Sequence, residues 1–281
     1  MTKTIIYLFA AAVLAGIVSL FMGGGDDGQD PGAARESMAV ASAGQNGGET
    51  SNLLVLFDAS VYHPGEKERF AGLVERFEKF FLGLPERSRV VVWTVDQALC
   101  NARPACRAEL GFDRSIGGAE QHRDKLSSLF AELEPDLMSA WDTQHSREKW
   151  TDPVSCLITS LHEAANRLHS GDVPPGRSNT LVVVSDMLEA CDEWGAEDRT
   201  VNLERGLERA RARLDWGEID AYMAKLDVFD KIIIMRVPSH RVTDPGELAR
   251  LKDFWERVLA NAGADLNSVV YRTSFPQTHF N

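Results

Sequence analysis

The chain has 281 residues, enough for one large domain or two small ones, and its 44% hydrophobic and 26% charged residues are those of an ordinary globular protein. A formal net charge of −12 argues against a nucleic-acid binder, which needs clustered Lys and Arg to neutralise phosphates. The basic residues Arg205, Arg209, Arg211 and Arg213 alternate with acids and read as a solvated helix face with local ion pairs.

The N-terminus bears on the compartment. From Ile5 to Met22 the chain is almost unbroken apolar sequence, preceded by Lys3 and followed by Gly23–Gly25, Asp26 and Asp27. About 18 apolar residues at about 1.5 Å rise each can cross the hydrocarbon core. A cleaved signal usually has a shorter apolar core, about 7–15 residues, with a small-residue cleavage site close behind. Here the first such patterns, around Ala39–Ala43, lie far downstream. The expectation is an uncleaved anchor over residues 1–22, with a cleaved signal as the alternative. Lys3 before the span and acids after it orient the bulk of the chain outside. The expected place is therefore the periplasmic or other extracytoplasmic side of a bacterial cytoplasmic membrane.

Residues 23–51 are rich in Gly, Ala, Ser, Asp and Gln without hydrophobic periodicity, which reads as a flexible linker. One domain then occupies 52–281. Strands and helices alternate along it, the pattern of a mostly parallel sheet covered by helices on both faces. The first strand, Leu53–Phe57, is apolar at every position, as a central strand buried on both faces must be, and ends at Asp58. A helix from about Pro64 to Leu82 carries Phe70, Leu73, Val74, Phe77, Phe80 and Phe81 at helical spacing, as core residues. The second strand spans Arg89–Val95, and a short strand near Ala108–Phe112 is expected to return antiparallel to it.

Between those two strands, Cys100 and Cys106 bracket a short loop that a disulfide could staple. Helices are expected over Ala119–Leu133 and Pro135–Gln144, then a loop Lys149–Pro153 and a helix to about Leu168. Asn179–Val184 reads as another buried strand, ending Ser185-Asp186. A long charged helix over Val201–Ala224 follows, then a strand Lys231–Val237, a helix Gly246–Ala262 and a last strand Val269–Thr273. Trp255 and Phe254 are expected in the core. His145, His169 and His240 fall near segment ends, where solvation or capping is the default, and His162 within an amphipathic helix pattern. The four cysteines, with Cys156 and Cys191, are an even set able to form two bridges in an oxidising space, and none forms a CxxC pair.

Three segments stand out at strand ends or helix starts: Asp58 to Tyr62 with Ser60, Thr151-Asp152, and Ser185-Asp186. Ligands of open α/β sheets bind outside the carboxyl ends of the strands, near the switch in strand order. Carboxylates and hydroxyls meeting there make an all-oxygen site suited to a hard cation such as Mg²⁺. Asp58, placed in a loop and packing no core, is expected to be replaceable without loss of the fold. In this order of elements, with its DxSxS-like loop, Thr loop and strand ending in Asp, the chain resembles the von Willebrand factor A family over nearly all of Asn52–Thr273. The resemblance implies a three-layer α/β fold and a metal-ion-dependent adhesion site, with Mg²⁺ or Mn²⁺ on Asp58, Ser60, Thr151 and Asp186. It also implies an open coordination position for a partner protein's carboxylate. The sequence departs from the family pattern at Tyr62, in place of the last serine, at Trp150 and at Met187. Trp150 and Trp194 flank the second and third loops and are candidate anchors for a partner. The fold implied also brings Cys156 and Cys191 together as a second bridge.

Enzyme motifs are absent: there is no GxSxG, HExxH, GxxxxGK[ST] or GxGxxG after a strand. The leading expectation is a non-enzymatic, membrane-tethered protein-binding module. A metal-free structural scaffold is the alternative, and a metal-dependent hydrolase on Asp58 and Asp186 a further one.

Overall fold

The computed structural model describes residues 51–85, 88–95, 110–111, 119–145, 155–174, 176–191, 201–202, 216–223, 225–239 and 242–276. These lie in the unit Gly47–Asn281. The anchor run Ile5–Met22, residues 23–50 of the expected linker 23–51, Cys100, Cys106, Trp150, Thr151, Trp194 and His240 lie outside the described residues, and Ser51, expected to end the linker, is instead the first residue of the first strand. Among the described residues no helix is long and apolar enough to cross a membrane.

The strands are β1 (Ser51–Asp58), β2 (Ser88–Val95), β3 (Leu110–Gly111), β4 (Ser178–Ser185), β5 (Ala190–Cys191), β6 (Val201–Asn202), β7 (Lys231–Arg236) and β8 (Val269–Arg272). The helices are α1 (Lys67–Phe81), α2 (Ala119–His145), α3 (Leu157–His169), α4 (Trp216–Tyr222) and α5 (Pro245–Asn261). The main sheet runs β3-β2-β1-β4-β7-β8. Its body, β2 through β8, is parallel at every pairing. At the outer side of β2, among the described residues, the two residues of β3 pair antiparallel to Arg89 and Val90. The chain builds outward from β1 to β2, then returns to lay β4 on the other side of β1. This reversal puts a switch point between β1 and β4, the doubly wound arrangement.

Period-two alternation explains the three layers. Leu54 and Leu56 point into one core, with α3, α4 and α5, while Leu53, Val55 and Phe57 point into the other, with α1 and α2. Every residue from Leu53 to Phe57 is buried. The second core is aromatic, and Phe77 of α1 is its hub. Its ring lies 5.2 Å from Phe57, 6.1 Å from Phe80, 6.1 Å from Phe81, 5.9 Å from Phe130 and 5.7 Å from Phe275, centroid to centroid. Truncating it to alanine would cost about 3–5 kcal/mol. On the other side Phe254 and Trp255 are buried, as expected. Asp244 caps α5 by accepting the amides of Gly246 and Glu247 at 2.9 and 3.0 Å, with Pro245 at the first helical position.

Two helix expectations are corrected. The segments 119–133 and 135–144 form one helix, α2, with Pro135 inside it. An interior proline removes one backbone bond and typically costs about 3 kcal/mol. Here Pro135 is exposed, so the freed carbonyl can be hydrated. The buried stripe Leu126, Phe130, Leu133, Leu137, Trp141 runs past it unbroken, and that packing keeps the two halves in one line. The helix expected over Val201–Ala224 begins instead as β6, paired antiparallel with β5. Helix is described only at Trp216–Tyr222. Alternating charge resembled a helical face, but Val201 and Asn202 found a strand partner in Ala190 and Cys191, so tertiary pairing overrode the local pattern.

A carboxylate gathered by three hydroxyls at the switch point

Asp58 is the last residue of β1 and is fully buried. The expectation that it sits in a loop and packs no core is therefore corrected: parallel strands flank it on both sides. Phe57 pairs with Val184, so Ser185, the last residue of β4, comes beside Asp58. Its hydroxyl donates to Asp58 Oδ2 at 2.7 Å. Ser155, buried two residues before α3, donates its hydroxyl to the same oxygen at 3.0 Å. Asp58 Oδ1 accepts both the backbone N–H of Ser60 at 2.9 Å and the Ser60 hydroxyl at 2.6 Å.

Burial pushes the Asp58 carboxyl above its ordinary value, and the hydrogen bonds from Ser60, Ser185 and Ser155 pull back against it. None of these bonds comes from a cationic group. A buried carboxylate normally neutralises itself, pairs with a cation or binds a metal, and these four contacts satisfy its lone pairs without neutralising its charge.

A hydroxyl has one proton and two acceptor lone pairs. Ser185 uses one of its own to accept the Met187 N–H at 2.8 Å. Ser60 and Ser155 spend their protons on Asp58, leaving oxygen lone pairs that suit a hard cation. Asp186 follows at once, half-buried, and accepts the Leu188 N–H on Oδ1 at 3.1 Å. Among the described residues no group of three or more His, Cys, Asp or Glu could hold a metal. Any cation here would therefore rely on hydroxyls as much as on carboxylates.

The structure thus joins Asp58 and Ser60 directly and puts Asp186 next to Ser185 in the chain, while Thr151, Trp150 and Trp194 lie outside the described residues. Sequence reasoning did not single out Ser155. A serine just ahead of an apolar helical run is a helix-start signal, and that signal was available at Ser155-Cys156-Leu157. Cys156 is buried at the head of α3 and is disulfide-bonded.

The surrounding loops are held by backbone contacts. Tyr62 and Met187 have φ of 73° and 66°, the only positive values among described non-glycine residues. Such a conformation costs an L-residue about 1–2 kcal/mol. At Met187 the strain is offset by bonds at both ends of the residue: its N–H goes to Ser185 and its carbonyl accepts Trp255 Nε1–H at 2.8 Å. Tyr62 is buried, with the Arg69 guanidinium 4.8 Å from its ring centre. Its carbonyl meets His145 Nε2 at 3.1 Å. His145, expected to be solvated or capping, bonds the Trp141 carbonyl in the last turn of α2 at 2.7 Å as a cap does, and it also stacks on Trp141 at 4.0 Å and so tethers the Tyr62 loop to α2. Trp141 adds a bond from Nε1–H to the Val61 carbonyl at 3.3 Å. His162 packs on Tyr222 and burial lowers its pKa, while His169 reaches the Lys225 carbonyl.

No family model matches the chain, and no curated protein matches it in sequence. Among solved structures the chain is similar to a von Willebrand factor type A protein from Catenulispora acidiphila, at 14% identity and a TM-score of 0.33, over 77% of this chain and 43% of that one. It is similar to the pilus adhesin SpaC from Lactobacillus rhamnosus GG at 10% identity and 0.38, over 82% of this chain and 28% of that one. It is also similar to the PilB minor pilin from Streptococcus sanguinis at 9% and 0.38, over 83% and 59%. The chain thus spans less than two thirds of each of these proteins, and similarity at this depth says nothing of what it binds. By its own strand order and layers it is a doubly wound α/β domain.

Proposed function

We propose that this chain is a non-enzymatic, membrane-tethered binding module outside the cytoplasmic membrane, which engages a protein partner at the carboxyl ends of β1 and β4. The observation that carries the reading is the fully buried Asp58 carboxylate, gathering hydroxyls from three segments at the switch point without a cationic partner among its bonds. Mg²⁺ or Mn²⁺ fits the donor chemistry: Ser60 and Ser155 offer hydroxyl lone pairs, and Asp58 and Asp186 offer negative charge. Thr151, a ligand expected from the family resemblance, stays in the proposed set. When bound, the cation supplies an open coordination position for a partner's carboxylate. The chain's own part is to hold the hydroxyls in place before binding, so that little ordering entropy is lost on association.

A second reading is favoured by a separate observation. Asp58 already accepts four hydrogen bonds, as a purely structural carboxylate locking three loops would. In that reading the domain is a metal-free scaffold. Calorimetry of the full-length protein with Mg²⁺ and with Mn²⁺ separates the two. The cation reading expects saturable heat that is absent in Asp58→Asn. No heat and no change in melting temperature at saturating metal leaves the scaffold.

A further inference from the structure

Two depressions open at the carboxyl ends of β4, β7 and β8, one toward each core. The larger, about 270 Å³, lies beside α5, and Met187, Trp255, Tyr271 and Arg272 line it. The smaller, about 30 Å³, lies toward α1, and Tyr62 and Arg76 line it. Arg236 and Thr273 line both and so form the saddle between them. Arg76, Arg236 and Arg272 make no ion pair or side-chain hydrogen bond with a described residue. Arg76 does feel the neighbouring Glu75 carboxylate, but Arg236 and Arg272 standing on one rim without an ion pair among the described residues is unexpected in a chain with 42 acidic and 30 basic side chains. The two residues with strained positive φ, Met187 and Tyr62, line one depression each, and such strain clusters at binding sites.

We infer that this saddle binds an acidic peptide segment of a partner protein, a large apolar side chain entering the larger depression and flanking carboxylates meeting Arg236, Arg272 and Arg76. At about 270 Å³ the larger depression has room for one large side chain. The floor is apolar, with Trp255 fixed by its bond to the Met187 carbonyl and Met187 fixed in turn through Ser185 to Asp58. Guanidinium groups pair carboxylates through two parallel N–H bonds. Charge selects the occupant's size. A net charge of −12 repels an extended anionic surface, whereas a short acidic segment seated in the groove feels mainly charges within a Debye length of about 8 Å. Nothing in this contact requires a metal, so it stands apart from the proposed cation site.

The test is fluorescence polarisation of the full-length protein with a labelled Glu-Asp-Phe-Glu-Glu peptide, in chelator, at low and high salt. Controls replace the Phe by Ala, or all the acids by Lys. The groove expects saturable binding that weakens with salt and is at least about tenfold tighter than for either control. Arg236→Glu and, separately, the exposed Arg272→Glu should each raise Kd by about tenfold with the circular dichroism spectrum unchanged. Equal binding of the acidic and lysine peptides overturns the proposal, as does binding indifferent to both arginine variants. Peptide binding seen only with Mg²⁺ and lost in Asp58→Asn also overturns it, while supporting the cation site.

Discussion

The Ser185 hydroxyl donates to Asp58 Oδ2 at 2.7 Å, joining two residues 127 positions apart, and Ser185 Oγ in turn accepts the Met187 N–H. One hydroxyl therefore satisfies a buried carboxylate and holds a residue in a left-handed conformation. Ser185→Ala removes both bonds and leaves a buried N–H unpaired, a loss of about 2–3 kcal/mol. Denaturant unfolding of the variant measures it, and a change below about 0.5 kcal/mol would mean that water takes over both partners.

The raised Asp58 carboxyl sets a direction for pH dependence. Its ordinary value is 3.8 and burial moves it upward, so the folded protein holds this proton more tightly than the unfolded chain. The associated stability is fully present below the unfolded value and is lost as pH rises through the folded one. Asp58→Asn carries no such loss. Its stability relative to wild type is expected to increase across that window, in metal-free buffer, as read by melting temperature against pH. A difference that stays flat or shrinks with rising pH contradicts the direction.

Trp255 donates to the Met187 carbonyl from within the core. Trp255→Phe keeps most of the apolar volume but leaves a buried carbonyl without its donor, costing about 1–3 kcal/mol. Combined with Ser185→Ala, the two losses are expected to sum to more or less than their parts, because both act on Met187. Strict additivity in a double-mutant cycle would show that the loop does not transmit between them.

Two disulfides are expected, Cys100–Cys106 and Cys156–Cys191. For the second, Glu189 Oε2 accepts the Ile158 amide at 2.9 Å, which brings the segment two residues short of Cys191 to the head of α3, where the disulfide-bonded Cys156 sits. Closing a loop of that length contributes about 3–4 kcal/mol in the chain-entropy model. Non-reducing peptide mapping identifies the pairs, and a Cys106–Cys156 peptide would overturn the arrangement.

Retention in the membrane is expected through Ile5–Met22, with the domain outside. Fractionation with N-terminal sequencing reads this directly. Protein released from the membrane with an N-terminus beyond Gly23 would identify the run as a cleaved signal.

The sequence by itself determined the layers. Strands such as Leu53–Phe57 and Asn179–Val184 are apolar at every position, which only a sheet covered on both faces accommodates. The phenylalanine spacing of α1 and the Asp244-Pro245-Gly246 start of α5 are local signals that tertiary contacts reinforced. Where local pattern and packing disagreed, packing prevailed: α2 runs through Pro135 because its buried stripe continues, and Val201–Asn202 pairs as a strand. The site was legible at Asp58 and Ser60, which share one turn of chain. Only the tertiary structure decided that Ser155 and Ser185 donate to the same carboxylate, or that Met187 bridges Ser185 to Trp255. Those contacts depend on the register of β1 against β4 and on where α3 starts. Hydrophobic periodicity reports which face a residue takes but not which distant hydroxyl will stand within 3 Å of it.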